Sequence, residues 1–187
     1  MKKKLIILLI ISTLLTYFIY HKNYKYTLNI MSINTSTREN DYNLYLNNLY
    51  KNTNINYIID FSDSSYEIEN LVGIIENNKN NIKEKLHKSN VIILSIGNID
   101  YKTESMSSIV KELKELFTLL RDYNNKKIIY ITPTNIDNIE LIRLTCKKYN
   151  IEVINGKSYK NNPKKLATTI YRIINNSYKL RKSNWFI

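Results

Sequence analysis

Two periodicities alternate along the chain. Apolar residues run continuously or at every second position through Leu28–Ile33, Asn56–Phe61, Val91–Gly97, Lys127–Pro133 and Ile151–Ile154, the pattern of strands buried in a sheet. Between them Tyr42/Leu46/Leu49, Ile68/Leu71/Val72/Ile75, Ile109/Leu113/Leu116/Leu120 and Ile139/Ile142/Cys146/Tyr149 recur at spacings of three and four. Each set marks a helix with one buried stripe. A last helix is predicted over Lys164–Asn176, burying Leu166, Ile170 and Ile173, with Pro163 suited to its first turn. Strands that alternate with helices predict an α/β fold, a three-layer sandwich around a five-stranded parallel sheet. Ligands of such sheets sit at the carboxyl ends of the strands.

One segment has neither period. Lys2-Lys3-Lys4 precedes Leu5–Tyr20, sixteen residues without a charge, closed by His21 and Lys22. At 1.5 Å per residue the run spans about 24 Å, slightly less than a hydrocarbon core of about 30 Å. Snorkelling lysines and an interfacial Tyr17/Tyr20 belt can cover the difference. No small-residue cleavage site follows the run, and it holds no cysteine for lipid attachment. The expectation is an uncleaved signal-anchor, a single transmembrane helix whose lysines keep the N-terminus in the cytoplasm and leave the domain outside the cell membrane. Three regions result: an anchor at 1–25, an α/β domain at 26–176 and a basic, aromatic tail at 177–187.

Composition narrows the functional classes. Asn (28) and Ile (31) are abundant beside one alanine, Ala167, a bias expected of an AT-rich, bacterial genome. The net charge of +12 invites a nucleic-acid reading, but its distribution argues otherwise. Residues 1–25 hold five lysines and residues 156–187 hold eight Lys or Arg, neither with an acid, whereas 26–155 carry 15 basic and 16 acidic side chains. Two basic ends on a neutral body suit an anionic membrane surface rather than a phosphate-tracking groove. The membrane, through the anchor and an interfacial tail, is therefore the expected partner, and nucleic acid is not. Three glycines, Gly73, Gly97 and Gly156, cannot build a Rossmann or P-loop phosphate turn, and one cysteine with two histidines cannot make a structural zinc site. Asp60, Asp63 and Asp100 fall at strand ends, where carboxylates can hold Mg²⁺, yet no acidic pair follows the first strand. Neither cofactor nor metal is expected. The Lys111-Glu112-Leu113-Lys114-Glu115 run reads as a solvated helix face with ion pairs.

The segments around the strand ends resemble those of the SGNH (GDSL-type) hydrolase family. Residues 87–100, His-Lys-Ser-Asn-Val-Ile-Ile-Leu-Ser-Ile-Gly-Asn-Ile-Asp, are similar to the family's third block, a helix end and hydrophobic strand followed by Gly-x-Asn-Asp. Residues 60–68 resemble the second block, and Asn161-Asn162-Pro163 resembles the fifth, where the family carries His-Pro. The resemblance places Asn34, in Ser32-Ile33-Asn34-Thr35, at the nucleophile's position, Ser65 at that of the oxyanion-hole glycine, and Ile99 at that of the oxyanion-hole asparagine. Gly97 is kept, Asn162 stands for the catalytic histidine and Tyr159 for the aspartate. Ser32 and Ser36 remain as fallback nucleophiles, but neither His21, at the membrane boundary, nor His87, before the third strand, is placed to serve them as a base. The reading is an SGNH-like domain that has lost catalysis and binds an envelope glycan, lipid or protein ligand, or acts as a scaffold. The alternatives are an active esterase, lipase or O-deacetylase acting on envelope acyl esters, and an unrelated flavodoxin-like binding domain.

Overall fold

The computed structural model describes residues 2–23, 28–34, 42–51, 55, 57–62, 67–97, 100–123, 127–136 and 139–178. Helix α1 covers Lys2–Asn23, followed by β1 (Asn29–Asn34), α2 (Tyr42–Tyr50) and β2 (Tyr57–Ser62). Next come α3 (Ile68–Glu76), α4 (Ile82–Lys88), β3 (Val91–Ser95), α5 (Asp100–Thr103) and α6 (Met106–Tyr123). The chain continues through β4 (Lys127–Ile131), α7 (Glu140–Lys148), β5 (Glu152–Ile154) and α8 (Pro163–Tyr178).

The strands form one parallel sheet in the order β2-β1-β3-β4-β5. Alternating strand residues face two separate cores, as the two-residue period of a strand requires. Met31, Ile33, Ile92, Leu94, Ile128 and Tyr130 face the layer of α3, α4, α6 and α7. On the other face Leu28, Ile30, Val91, Ile93, Ile129 and Ile131 pack on α2 and α8. Cys146 sits inside the first core, where burial pushes its thiol up to about 12 and leaves it inert.

Several boundaries differ from the sequence reading. β3 stops at Ser95 instead of Gly97, because Gly97 takes φ +95°, outside the strand region. β4 stops at Ile131, two residues short of Pro133, which lacks the N–H a ladder needs. Leu49 points to solvent at 38% exposure, and Tyr50, at 2%, takes its place against Tyr171 of α8 with ring centroids 5.0 Å apart. In α8 the buried stripe runs through Leu166, Ala167, Ile170 and Ile174, with Ile173 at its margin.

The expected membrane-spanning helix is not shown: among the described residues no helix is long and apolar enough to cross a membrane. The described side chains of α1 lie between Ile6 and Tyr17, and all of them are exposed. Leu5, Leu8 and Phe18–Tyr20 lie outside the described side chains, and the basic tail from Lys179 to Ile187 lies outside the described residues.

Candidate functional site

In the 2-1-3-4-5 strand order, the chain reverses its direction of winding between β1 and β3, and the crevice outside that point is where open α/β sheets take their ligands. Asn34 ends β1 there, in register with Ser95 at the end of β3 and Ser62 at the end of β2. It is only 5% exposed, and among the described residues its Oδ1 has no hydrogen-bond partner. Two residues earlier on the same strand face, Ser32 is fully buried, and its hydroxyl is 2.8 Å from that of Tyr42. That contact closes Ser32 into the core beneath the site.

Gly97 forms the other wall. A Cβ added there would lie 3.1 Å from the Tyr101 ring and 3.3 Å from Ile68 Cδ1, and its φ of +95° belongs to glycine. The turn is buttressed from below: the buried Tyr130 hydroxyl donates to the Ile96 carbonyl at 3.4 Å. Beyond it, Asp100 opens α5 at 1% exposure, with both carboxylate oxygens 3.4 Å from the backbone N–H of Ile68. Glu67 offers α3 no side-chain cap, so a carboxylate from another element satisfies the first helical donor and complements the helix dipole.

Asp100 has two acidic neighbours that the sequence reading missed. Carboxylate oxygens of Asp100, Glu104 and Glu112 lie within 4.8 Å of one another. Burial, and then the Glu104 carboxyl beside it, push Glu112 up to about 7, while Ser108 donates to it at 3.2 Å. Burial likewise raises Asp100. The solvated ion-pair face expected over Lys111–Glu115 is therefore corrected: among the described residues no ion pair forms there, because Glu112 turns in towards α5. The spacing of four between Asp100 and Glu104 was the only sequence signal, and Ser105 breaks the helix before Glu112 can extend it.

A raised folded pKa fixes the sign of a pH effect. The carboxyl group is favoured protonated in the fold, so its stabilisation is complete below the unfolded value near 4.3 and is lost as pH rises towards 7. The urea midpoint is expected to fall between about pH 4.5 and pH 7, and Glu112→Gln should flatten that slope while keeping the low-pH midpoint at pH 8. Parallel profiles for both proteins would remove the assignment.

At the far side of the crevice, Asn162 caps α8. Its Oδ1 accepts from Lys165 N–H at 3.0 Å, and its side chain is exposed. Tyr159 is held by Thr169, whose hydroxyl donates to the ring oxygen at 3.2 Å. Neither side chain is the imidazole or carboxylate that the resemblance calls for. His87 lies at the opposite edge of the sheet, its ring edge-on to Tyr123 at 5.3 Å. Ser36, Ser65 and Ile99 lie outside the described residues, as does Asp63. The Asp60 side chain is not described either.

The fold matches solved esterases. The psychrotrophic esterase EstA from Pseudoalteromonas sp. superposes with a TM-score of 0.54 at 13% identity, over 81% of this chain and 96% of that one. AlinE4, an SGNH-hydrolase family esterase, gives 0.52 at 13% identity over 86% of each chain. This domain has the SGNH-hydrolase fold. TesA, at 8% identity, gives 0.52 over 67% of this chain and 76% of its own. No family model and no curated protein matches the sequence. Within this SGNH-type domain the structure brings Asn34 and Gly97 to the same crevice, while Asn162 stands at its rim as a helix cap.

Proposed function

We propose that the protein is a membrane-anchored, extracytoplasmic SGNH-type domain that has lost hydrolase activity and binds a ligand at the cell envelope through the crevice between β1 and β3. The observation that carries this reading is Asn34, a buried carboxamide whose Oδ1 has no partner among the described residues, at the position that the family resemblance gives to the nucleophile. An amide can accept and donate hydrogen bonds but has no proton to yield to a base and no nucleophilic oxygen of use. A buried acceptor left without a donor costs about 1–3 kcal/mol, which a hydroxyl- or amide-bearing ligand would recover. An envelope glycan, lipid headgroup or protein segment carries such groups. The base is missing as well, since Asn162 caps a helix and His87 lies across the sheet. Anchoring is supported by the uncharged run Leu5–Tyr20 behind three lysines, and by the exposed apolar side chains from Ile6 to Leu15.

Full-length protein is expected to stay with membranes through a carbonate wash, to be digested by protease added to intact cells, and to hydrolyse no p-nitrophenyl acetate above a buffer blank. Protection of the domain in intact cells would reverse the orientation. Turnover that disappears in Ser32→Ala or Ser36→Ala would instead establish an active esterase with a relocated nucleophile.

A further inference from the structure

Four segments distant in sequence are tied together at the amino edge of the sheet, opposite the crevice. Asn29, at the start of β1, donates its backbone N–H to Asn90 Oδ1 at 2.8 Å and its Nδ2 to the Lys88 carbonyl at 2.7 Å. Asn90 N–H returns to the Asn29 carbonyl at 2.7 Å, and the Tyr178 hydroxyl donates to the Asn90 carbonyl at 2.7 Å. The entry of β1, the end of α4, the entry of β3 and the end of α8 therefore share one node. Only residues 24–27 separate α1 from Leu28 at this edge, and past Tyr178 the sequence continues Lys179-Leu180-Arg181-Lys182.

The edge carries more cations than acids, Asp122 in the last turn of α6 being an exposed acid there. Lys51 follows α2, Lys88 ends α4, and Lys147 and Lys148 end α7, all exposed. Glu84 pairs with Lys88 and Glu152 with Lys127, whereas among the described residues no acid pairs with Lys51, Lys147 or Lys148. A hollow of 310 Å³ opens at the same edge, lined by Lys127, Arg143, Lys147, Asn150 and Glu152; Lys127 pairs there with Glu152 and Arg143 with Glu140, while among the described residues Lys147 pairs with no acid. The helix dipole favours lysine in a last turn, but it does not account for cations that continue beyond the end of α8.

We infer that the amino edge of the sheet seats the domain on an anionic phospholipid surface, so that the crevice faces away from the bilayer. The inference rests on the anchored reading above. A six-residue strand is about 20 Å long, so Asn34 stands about that far above the headgroups. A ligand then approaches from the outer side, as a soluble or wall-borne molecule, and a lipid still embedded in the leaflet does not reach the crevice.

The test uses full-length protein in two kinds of vesicle, phosphatidylcholine alone and a roughly 3:1 mixture with phosphatidylglycerol. A fluorophore is placed at Ser177→Cys, near the end of α8, or at Ser158→Cys, on the crevice side, and a headgroup nitroxide serves as quencher. Cys146 is buried and does not compete for the label. Quenching at position 177 should rise at least about threefold in the anionic vesicles, with no change at 158, and Lys147→Glu with Lys148→Glu should return 177 to its value in the neutral vesicles. Equal quenching at 177 in both compositions, or quenching at 158 as strong as at 177, would overturn the inference. Failure of the anchor reads differently: carbonate would strip the protein from both vesicle types, while the contrast between 177 and 158 on anionic vesicles would survive at low salt.

Discussion

Replacing Gly156 with alanine is expected to remove about 3 kcal/mol or more of stability, a large part of what a domain of this size has. A Cβ at Gly156 would lie 1.9 Å from the carbonyl oxygen of Thr132 and 3.1 Å from its carbon. Both are backbone atoms, so no rotamer change relieves the overlap. The ends of β4 and β5 would have to part, and the contacts between them are specific: Gly156 N–H donates to Thr132 Oγ1 at 3.1 Å, and Thr132 N–H donates to the Ile154 carbonyl at 3.0 Å. Parting them exposes Ile131 and Ile154, both members of the core shared with α8. Gly73→Ala is the control. Nothing lies within 4 Å of a Cβ at that position in α3, and exchanging a helical glycine for alanine should stabilise by about 0.5–1 kcal/mol. Urea unfolding of the two variants should therefore move in opposite directions. A Gly156→Ala midpoint equal to that of the parent would mean that β4 and β5 are not held this closely.

The contrast between these glycines marks how far the sequence can be read. The strands and the long helices were legible because each buries one stripe at a period fixed by its own backbone: Ile92 and Leu94 fill one core while Val91 and Ile93 fill the other. What a second element decides was not legible. Tyr50 displaces Leu49 from the core only because Tyr171 of α8 stands opposite it. Glu112 looks like any exposed helix acid until α5 carries Asp100 and Glu104 against it. Gly156 reads as an ordinary loop glycine, and only the approach of Thr132 makes it obligatory. Of the site, the family resemblance put Asn34 and Gly97 at strand ends, and the structure has Asn34 as the last residue of β1 and Gly97 two residues past β3. The cap that Asp100 gives to α3 joins residues 32 positions apart and has no local signature.

Installing Asn34→Ser, Ser65→Gly, Ile99→Asn and Asn162→His together is expected to give measurable, slow ester hydrolysis where the unmodified protein is expected to stay at a buffer blank. Asn34→Ser alone should do nothing, because its hydroxyl would have no base: Asn162 offers only an amide, and that amide is engaged with Lys165 N–H. A histidine alone would have nothing to activate, since the Ser32 hydroxyl is closed off against Tyr42. One oxyanion donor is worth about 10²–10³ in rate, and members of a triad act as a unit, so partial sets should remain at the blank. Tyr159 keeps the orienting carboxylate absent, which holds the quadruple variant well below an intact triad. Asn162→His also removes the α8 cap at a cost of about 1 kcal/mol, so the variant's unfolding midpoint must be measured beside its activity. A folded quadruple variant that hydrolyses no short acyl ester would show that these four positions do not meet around one substrate carbonyl. Turnover by the unmodified protein would show that catalysis was never lost. Turnover confined to the quadruple variant would establish that the crevice at Asn34 retains the geometry of a hydrolase and lacks only its reactive groups.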